Sequence, residues 1–350
     1  MRPEWAADLC VWEVTLACNA RCVHCGSDAG KVRPSELSPQ EAIELCDALA
    51  RIGVRHVTLS GGEPLMRQDW PALVRRLVGH GLRVEMITNG LCVDEAAAHE
   101  IAGSGLASVT LSIDGTEEVH DELRGVPGAW RLAKQAVASL RAQGLQVGAV
   151  TQVNRANLGC LAEIEQTLVE WGIGGWQLQL TVPMGRCEQH PELALEPAEV
   201  PAVMDFILGS SRPIPLYAAD NIGWMLPSEP RIRSANRPTD RFYAGCQAGL
   251  RVIGITSDGT VRGCLSMPPE FNEGNVRLRP LEEIWNDPKA FAYNRCFRQE
   301  ELSGACAACA FRRICRAGCK TIAFASTGQT SHNPFCALAL DSAQVRARLR

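Results

Sequence analysis

Short runs of apolar and β-branched residues alternate with amphipathic stretches through the first half of the chain. Six such runs predict β-strands at residues 11–16, 56–60, 83–88, 108–113, 146–152 and 177–182. The stretches between them predict helices, with clear patterns at 70–78, 94–102, 129–142 and 158–171. Strands that alternate with helices form parallel βαβ units, so the pattern predicts an α/β fold that is either a β/α barrel or an open doubly wound sheet.

Capping signals mark the start of two helices. Ser38-Pro39-Gln40-Glu41 is a capping box with proline at the first helical position, and it opens an apolar face that stops at Gly53. The members of that face are spaced like the side of a helix, at Ala42, Leu45, Cys46, Leu49 and Ile52. Asn157 is the predicted N-cap of the helix at 158–171.

The alternating pattern stops near residue 182, and the sequence beyond it has a different character. Prolines at 183, 191, 197 and 201 precede a predicted helix through Phe206, and residues 213–238 show no regular pattern. From Cys246 onward the chain contains eight of its 16 cysteines. The runs 252–256 and 260–263 flank the turn Ser257-Asp258-Gly259 and predict a β-hairpin.

These changes divide the sequence into four predicted segments. They are a core barrel at 1–212, a linker at 213–245, a cysteine-rich domain at 246–340 and the end of a C-terminal helix at 341–350.

Charge and composition exclude several classes of protein. Lys and Arg total 35 and Asp and Glu total 39, so the formal charge is −4 and no basic excess is available to neutralise a nucleic-acid backbone. No apolar run reaches the ~18 residues of a membrane span, and the first residues lack a signal-peptide pattern. We therefore expect a cytoplasmic protein that binds neither nucleic acid nor a membrane. Sixteen cysteines are many for such a reducing compartment, and they indicate metal binding rather than disulfides.

Three cysteines follow the first predicted strand with the spacing C-x3-C-x2-C, at Cys18, Cys22 and Cys25. Three thiolates this close in sequence can bind three irons of a [4Fe-4S] cluster and leave the fourth iron open to a substrate or cofactor. Zinc would require a fourth protein ligand, and His24 lies inside the loop, where it cannot easily turn back to provide one. The C-terminal end of a parallel strand is also where the active sites of β/α barrels form.

With this motif the sequence resembles the radical S-adenosylmethionine (SAM) superfamily. The resemblance implies that the open iron chelates the amino and carboxylate groups of SAM. It also implies that an electron from the reduced cluster cleaves SAM to methionine and a 5′-deoxyadenosyl radical, which removes a hydrogen atom from the substrate. For the fold it implies a partial (β/α)6 barrel of the TIM type.

Further segments at strand ends strengthen the resemblance. Gly61-Gly62-Glu63-Pro64 follows the second strand and is similar to the GGEP segment of the family, whose backbone and glutamate contact the SAM amino group. Asn89 ends the third strand, and Ser112 and Asp114 end the fourth, where related enzymes contact the ribose and carboxylate of SAM. Glycine also has a physical role, because a missing side chain lets the main chain approach a charged ligand closely.

Seven of the C-terminal cysteines resemble the SPASM extension of some radical SAM enzymes, which holds two auxiliary [4Fe-4S] clusters. The resemblance implies an outer cluster bound by Cys306, Cys309, Cys315 and Cys336, and an inner cluster bound by Cys246, Cys264 and Cys319. The inner cluster is one ligand short, so its fourth iron is either open or bound by Cys187 or Cys296. Zinc is the competing interpretation of the C-x2-C pair, but seven cysteines divide poorly into complete four-ligand zinc sites.

The resemblance implies an enzyme that uses SAM, its [4Fe-4S] cluster and two auxiliary clusters. Relatives with the SPASM extension mostly act on peptides, so the first hypothesis is a peptide or protein maturase that cross-links or oxidises its substrate. The alternative is a small-molecule oxidase or epimerase in cofactor or natural-product biosynthesis. A third hypothesis is an iron-sulfur electron-transfer or sensing protein that never cleaves SAM.

Two departures narrow the peptide hypothesis. Sulfatase-maturing relatives carry an Asp directly after the second SPASM cysteine, whereas Cys264 is followed by Leu265. The first strand begins near residue 11, so we expect no leader-binding domain ahead of it. A peptide would then need a separate leader-binding protein or direct recognition by the cleft. The other expected partner is an electron donor such as flavodoxin or ferredoxin.

Overall fold

A computed structural model describes residues 5–210, 213–233 and 243–340. These residues form ten β-strands in one sheet, whose order is β10-β9-β8-β1-β2-β3-β4-β5-β6-β7. The strands are β1 (Leu9–Thr15), β2 (His56–Gly61), β3 (Arg83–Thr88), β4 (Ser108–Ser112), β5 (Val147–Val153), β6 (Trp176–Leu180), β7 (Leu216–Ala218), β8 (Val252–Ile255), β9 (Thr260–Arg262) and β10 (Gly274–Asn275).

The six predicted strands are confirmed, and their ends differ from the prediction by one or two residues at most. β1 to β6 pair in sequential order and all in parallel. Because right-handed crossovers in one direction place every helix on the same face, this order builds a barrel wall rather than a doubly wound sheet. The α/β prediction is therefore confirmed in its partial-barrel form.

Thirteen α-helices lie within the described residues, and none of them is long and apolar enough to cross a membrane. They are α1 (Pro39–Arg51), α2 (Trp70–Gly79), α3 (Glu95–Gly103), α4 (Glu117–Arg124), α5 (Ala129–Ala142), α6 (Leu161–Glu170), α7 (Val200–Gly209), α8 (Glu229–Arg233), α9 (Leu281–Asn286), α10 (Ala292–Arg295), α11 (Gly304–Ala307), α12 (Arg312–Cys315) and α13 (Lys320–Thr327). Short 3-10 helices occupy Pro64–Met66, Leu158–Cys160, Gly185–Gln189, Pro191–Leu193, Pro197–Glu199, Pro269–Phe271 and Gln299–Glu301.

α1 begins and ends where its capping signals predict. The Ser38 hydroxyl accepts the Glu41 backbone N–H at 3.3 Å, and the Glu41 carboxylate accepts the Ser38 backbone N–H at 2.8 Å. The helix ends at Arg51, and Gly53 then adopts a φ of +86°, in the left-handed region that glycine tolerates. The helix buries most of its apolar face against the outer side of the sheet, through Ala42, Leu45, Cys46 and Leu49.

One helix prediction needs correction, and one helix was not predicted. The helix predicted at 158–171 starts as a 3-10 turn and becomes α-helical only at Leu161, and Asn157 does not cap it. The Asn157 amide instead donates to the carbonyl oxygens of Asp114 and Gln152, each at 2.9 Å. α4 was not predicted at all, because its buried face carries His120 and Arg124 and therefore lacks an apolar stripe.

The stretch predicted as an irregular linker contains regular structure. β7 pairs in parallel with β6, and α8 follows it. The strand has only three residues, which is too short for a two-residue alternation to be visible in the sequence. Residues 234–242 and the helix end predicted at 341–350 lie outside the described residues.

The predicted hairpin is confirmed as β8 and β9, which pair in antiparallel fashion. The structure adds that β8 also pairs in parallel with β1, with Leu9 opposite Val252 and Trp12 opposite Ile255. The hairpin therefore extends the barrel sheet on the β1 side. The predicted domain boundary at residue 246, which remains a prediction, precedes a strand that belongs to the barrel sheet.

Candidate functional site

A cavity of about 440 Å³ lies inside the barrel and is lined by side chains of β1 to β6. Successive side chains of a strand point to opposite faces. On β1, Val11 and Glu13 line the cavity, whereas Cys10 and Trp12 belong to the core under the helices. The same alternation brings one further pair from each strand into the cavity, namely Thr58 and Ser60, Glu85 and Ile87, Thr110 and Ser112, Val150 and Gln152, and Gln177 and Gln179.

The wall of this cavity is polar, unlike the aliphatic interior of a closed β/α barrel. A pattern outside the cysteine and glycine motifs of the sequence already indicates this polar wall. A parallel strand that is buried on both faces is a continuous apolar run, but β6 alternates Gln177, Leu178, Gln179 and Leu180. Such alternation indicates that one face of the strand lines a polar space, so Gln177 and Gln179 are candidate functional residues that motif reasoning missed.

The three cysteines of the C-x3-C-x2-C motif follow β1, and all of them line the cavity. Hydrogen bonds to sulfur stabilise a thiolate, which is the form that binds iron. Each sulfur accepts at least one: Ala20 N–H to Cys18 Sγ at 3.4 Å, Arg124 Nη1 to Cys22 Sγ at 3.7 Å, and Ala29 N–H to Cys25 Sγ at 3.4 Å.

These thiols lie close enough to affect one another. Burial raises the pKa of Cys18 to about 11, and the nearby Cys22 and Cys25 thiols raise it as well. Burial also raises the pKa of Cys22, against the opposing effect of the Arg124 guanidinium. Within the part of the chain that the structure describes, no three Cys, His, Asp or Glu side chains converge on one point as ligands of a single ion would. A [4Fe-4S] site does not need such convergence, because each thiol binds a different iron.

Asp114 lies at the end of β4, fully buried beside the cysteine loop. Its Oδ1 accepts the Gln152 N–H at 2.8 Å, and its Oδ2 lies 3.0 Å from His24 Nε2 and in an ion pair with Arg124. Burial acts to raise the pKa of Asp114, but Arg124 and His24 outweigh it and hold the pKa well below its ordinary value. Both oxygens are engaged by the protein, which favours a positioning role for Asp114 over the SAM contact that the resemblance implied.

His24 and Arg124 were not identified as site residues from the sequence. His24 was considered only as a zinc ligand, and it instead joins the loop to Asp114. Arg124 ends α4 and links Asp114 to the Cys22 sulfur. The only sequence signal for Arg124 is a charged residue at the end of an unpredicted helix, and that signal is too common to be used.

His120 on α4 is a buried neutral base beside this network. Its Nδ1 accepts the Asp114 N–H at 3.1 Å. Burial lowers the pKa of His120 to about 4, and the Arg124 charge acts in the same direction. The imidazole is therefore uncharged at neutral pH, as an acceptor at Nδ1 requires.

The glycines after β2 are required by contact with the cysteine loop. The Gly62 N–H donates to Thr15 O at 2.8 Å, and the Glu63 N–H donates to Ala17 O at 2.7 Å. A Cβ on Gly62 would lie 2.1 Å from Ala17 O, and one on Gly61 would lie 2.3 Å from Thr15 O. Both glycines line the cavity. The approach of a ligand to these glycines remains a prediction, and the protein's own backbone is a second reason for their small size.

Glu63 and Pro64 are buried and lie outside the cavity lining, and the contact between Glu63 and SAM remains a prediction. The Glu63 carboxylate accepts the Thr88 hydroxyl at 2.7 Å and the Asn89 N–H at 2.8 Å. Burial raises the pKa of Glu63, and these hydrogen bonds oppose that rise. Glu63 therefore ties the end of β2 to the end of β3.

Asn89 and Ser112 line the cavity as the motif analysis predicts. The Asn89 Nδ2 donates to Asn19 Oδ1 at 2.7 Å and lies 3.8 Å from Cys18 Sγ. The end of β3 is therefore in contact with the first cysteine of the loop.

Glu13 forms a second buried charge network in the cavity wall. Its carboxylate accepts Arg33 Nε at 3.0 Å and Arg33 Nη2 at 3.2 Å. It also accepts the backbone N–H of Ser257 at 3.1 Å and the Ser257 hydroxyl at 2.9 Å. Ser257 lies in the turn between β8 and β9, so Glu13 joins the hairpin to β1.

The loop after β6 closes onto the cysteine loop through Arg186. Its Nη1 donates to Cys22 O at 2.9 Å, its Nη2 donates to Ala29 O at 2.6 Å, and its backbone N–H donates to Cys25 O at 2.9 Å. The first and last parallel strands of the barrel wall therefore contribute to the same loop.

The seven SPASM-like cysteines separate into two groups according to which thiols act on the pKa of Cys319 and which act on that of Cys315. The inner group is Cys246, Cys264 and Cys319, and the outer group is Cys306, Cys309, Cys315 and Cys336. Burial raises the pKa of Cys319 and of Cys315 to about 12, and the other thiols of each group add to the rise. The placement agrees with the predicted ligand sets, while iron binding itself remains a prediction.

A left-handed turn separates Cys315 from Cys319, although only three residues lie between them. Arg316, Ala317 and Gly318 have φ values of +55°, +67° and +67°. This turn directs the two thiols into different groups. The next residue, Lys320, is buried, and its Nζ donates to Arg316 O at 2.7 Å, near thiols of both groups.

Neither predicted candidate for a fourth inner ligand is in contact with the inner group among the described residues. Cys187 is buried near the cysteine loop, where Cys25 is one of the groups that affect its pKa. Cys296 is exposed, and its sulfur lies 3.9 Å from Pro288 O. By contrast, Leu265 and Ser266 line the cavity directly after Cys264, so the inner group adjoins the cavity wall.

Comparison with known proteins identifies the family and the two matched domains. The description "Radical SAM superfamily" matches residues 12–154, and "Iron-sulfur cluster-binding domain" matches residues 246–310. The AdoMet-dependent heme synthase of Oleidesulfovibrio alaskensis is 31% identical over 344 residues, which cover 95% of this chain and 87% of that protein. The mycofactocin maturase MftC of Mycobacterium ulcerans is 31% identical over 328 residues, which cover 91% of this chain and 84% of that protein.

A solved structure shows the same fold. SuiB of Streptococcus suis, bound to S-adenosylmethionine, superposes with a TM-score of 0.71 at 16% sequence identity, over 94% of this chain and 76% of that chain.

We predict that Gly62→Ala weakens the contact between β2 and the cysteine loop. The added Cβ would lie 2.1 Å from a backbone oxygen that cannot rotate away, and overpacking of this kind costs roughly 1–3 kcal/mol. Urea unfolding should show a lower midpoint, and the reconstituted protein should retain less iron. Gly79→Ala is the matched control, because no atom lies within 4 Å of a Cβ at that helical position. Equal midpoints for the two variants would contradict the steric argument.

We also predict that His120 makes the protein less stable in mild acid. Its pKa is about 4 in the folded protein against 6.5 for an exposed histidine side chain, so the unfolded chain binds a proton that the folded chain does not. The contribution of the neutral His120 to the free energy of unfolding is therefore fully present above pH 6.5 and is lost as the pH falls toward 4. Between pH 7 and pH 5 the unfolding free energy should fall about 2 kcal/mol more in the wild type than in His120→Asn. The exposed His99→Asn variant controls for loss of an imidazole, and identical pH profiles for all three proteins would refute the prediction.

Proposed function

Because the chain belongs to the radical SAM superfamily, we propose that Cys18, Cys22 and Cys25 hold its SAM-binding [4Fe-4S] cluster and that it abstracts hydrogen from a peptide in the barrel cavity. The chain is a radical SAM enzyme, and its second matched domain implies auxiliary iron-sulfur clusters. When bound, the reduced cluster supplies the electron that cleaves SAM to a 5′-deoxyadenosyl radical. Everything else depends on how residues of this chain bind, orient and enclose the reactants.

The donor set of the loop fits this cluster. Three thiols point into one cavity, each with a hydrogen-bond donor, and the nearby Asp114 carboxylate is already occupied. Arg124 offsets part of the negative charge that three thiolates bring, because its guanidinium donates to Cys22 Sγ at 3.7 Å. We assign SAM binding to the adjoining wall, where Gly61, Gly62, Asn89 and Ser112 line the cavity.

The neutral amides and hydroxyls of the wall are the observation that carries the peptide assignment, because the carboxylates that also line it, Glu13, Glu85 and Asp114, are each paired with an arginine. A peptide presents amide N–H and C=O groups, which pair with neutral side-chain amides and hydroxyls. Such groups line the cavity at Gln152, Gln177 and Gln179. Among the described lining residues the one guanidinium is that of Arg124, which is paired with Asp114. The wall therefore suits a substrate whose inserted part is uncharged.

The size of the cavity supports a substrate that inserts only a small part of itself. About 440 Å³ lies in the lower part of the range for a site that holds one drug-sized ligand. SAM would take most of that space. The remainder suits one amino-acid side chain, with the rest of the peptide outside the barrel.

A second candidate function is oxidation of a tetrapyrrole side chain. Sequence similarity favours it, because the relatives at 31% and 30% identity over 95% of this chain are named heme synthases. A tetrapyrrole would also insert only one substituent. Its carboxylates would need cationic partners, and the described cavity wall offers only a paired one.

The auxiliary sites and partners complete the proposal. The inner group adjoins the cavity wall through Leu265 and Ser266. A cluster held there is well placed to take the electron left after hydrogen abstraction. We further propose a flavodoxin or ferredoxin as the donor, and either a separate leader-binding protein or direct recognition of the peptide by the cavity.

Replacing Cys18, Cys22 and Cys25 together with Ala tests the cluster assignment. SAM cleavage to 5′-deoxyadenosine should fall to background, because no site remains for the SAM-binding cluster. Iron should drop to about eight atoms per chain, the content of two auxiliary clusters. Cys296→Ala is the control, since this thiol is exposed and contacts neither group. Residual cleavage in the triple variant would overturn the assignment.

Deuterium transfer distinguishes the two substrate classes. Anaerobic enzyme with SAM and dithionite is given either deuterated peptides encoded beside its gene or deuterated iron coproporphyrin. We expect deuterium in 5′-deoxyadenosine from a peptide, and a higher KM for that peptide in Gln179→Ala. Gln166→Ala is the control, because Gln166 is exposed on α6 and bonds Glu170. Transfer from the tetrapyrrole alone would establish the second candidate instead.

A further inference from the structure

The chain has three tyrosines, and two of them have buried hydroxyls without a hydrogen-bond partner among the described residues. These are Tyr243 and Tyr293, whereas Tyr217 is 46% exposed on β7. An unsatisfied buried hydroxyl costs about 1–3 kcal/mol. Two such groups in one region indicate that a partner absent from the polypeptide pairs with them.

Tyr293 points at the inner cysteine group. A Cβ on Gly263 would lie only 2.0 Å from the Tyr293 hydroxyl oxygen, so the phenol occupies the space left by this glycine. Gly263 directly precedes Cys264. Burial raises the pKa of Tyr293, and Cys246 and Cys264 are the first charged groups that add to the rise. The hydroxyl therefore lies beside two thiols of the inner group.

Tyr243 lies three residues before Cys246, and its neighbour Trp224 lies against Gly318, which directly precedes Cys319. The Tyr243 ring is 4% exposed and packs near Trp224, with the Arg233 guanidinium 5.5 Å from its centroid. Burial raises the pKa of Tyr243 well above its ordinary value, and Cys246 and Cys319 are the nearest charged contributors. Like Tyr293, it stays a protonated phenol and is therefore a donor.

We propose that the hydroxyls of Tyr243 and Tyr293 donate hydrogen bonds to the sulfur atoms of the inner auxiliary cluster and raise its reduction potential. This inference rests on the proposed function, which places a [4Fe-4S] cluster on Cys246, Cys264 and Cys319. A hydrogen bond to a cluster sulfur stabilises the more negative, reduced state, which is one way in which proteins set such potentials. A higher potential makes the cluster next to the cavity a better acceptor for the electron that hydrogen abstraction leaves on the substrate.

The phenols serve as donors rather than as the missing fourth ligand. To ligate iron, a tyrosine must lose its proton in a buried site that already holds three thiolates. Burial and those thiolates both oppose a further negative charge. The tyrosines therefore do not supply the missing fourth ligand, and both are positioning residues that would act through the cluster.

The test is a potentiometric titration followed by electron paramagnetic resonance. The full chain carrying Ala at Cys18, Cys22 and Cys25 is used, so that the loop cluster does not contribute, and the inner signal is identified as the one lost in Cys264→Ser. Tyr243→Phe and Tyr293→Phe should each move the inner potential to a more negative value, and the double variant should move it further, with iron content unchanged. Tyr217→Phe should leave it unchanged.

An unchanged inner potential in the double variant overturns the inference. So does the loss of inner iron in either single variant, which would make the phenol a ligand. If the variants fail to fold, global replacement by 3-fluorotyrosine keeps the structure and makes each phenol a stronger donor. The inner potential should then rise, and no rise refutes the inference. A wild-type chain with about eight irons instead of about twelve and without the inner signal would refute the inner-cluster assignment on which this inference rests. The loop cluster of the proposed function is tested separately, by SAM cleavage.

Discussion

The cysteine loop depends on one buried carboxylate. The loop has no regular secondary structure, and Asp114 fixes it through His24 inside the loop and Arg124 at the end of α4. The carboxylate also accepts the Gln152 N–H from the end of β5. A buried ion pair of this kind is costly to break, because removal of one partner leaves an uncompensated charge away from water. The geometry of the three thiols is thus set by residues that are not themselves candidate ligands.

Two backbone contacts complete the support of the loop. On one side, Gly62 lies so close to the carbonyl of Ala17 that no side chain fits between them. On the other side, Arg186 donates to carbonyl oxygens of Cys22 and Ala29. The loop is therefore held from β2, β4, β5 and the segment after β6, and the polar cavity opens between these strands. This arrangement leaves the thiols facing the cavity while the charges that orient them stay buried.

The extension of the sheet by β8 connects the loop to the C-terminal cysteines. Because β8 pairs with β1, the hairpin that ends in Cys264 lies against the barrel, and Glu13 bonds the turn of that hairpin. Leu265 and Ser266 then form part of the cavity wall. A cluster bound by the inner group would therefore lie next to the cavity that is proposed to hold the substrate. The outer group is separated from the inner group by the left-handed turn after Cys315. The chain thus places its proposed electron acceptor by strand pairing rather than by a flexible linker.

Local patterns in the sequence were sufficient to predict the order of the elements, the parallel α/β fold and the cysteine spacings. The capping box at Ser38 and the six strand patterns work because they depend on neighbours within one turn or one strand. The same patterns gave a wrong role for Asn157 and did not reveal that Glu63 bonds the end of β3, because the polar groups of both residues bond elements far away in the chain. The short strand β7 and the helix α4 were not predicted, because neither has a local apolar pattern and both depend on tertiary contacts. Only the folded chain decides which buried charges meet, because Asp114, His24 and Arg124 become partners when separate strands and helices come together.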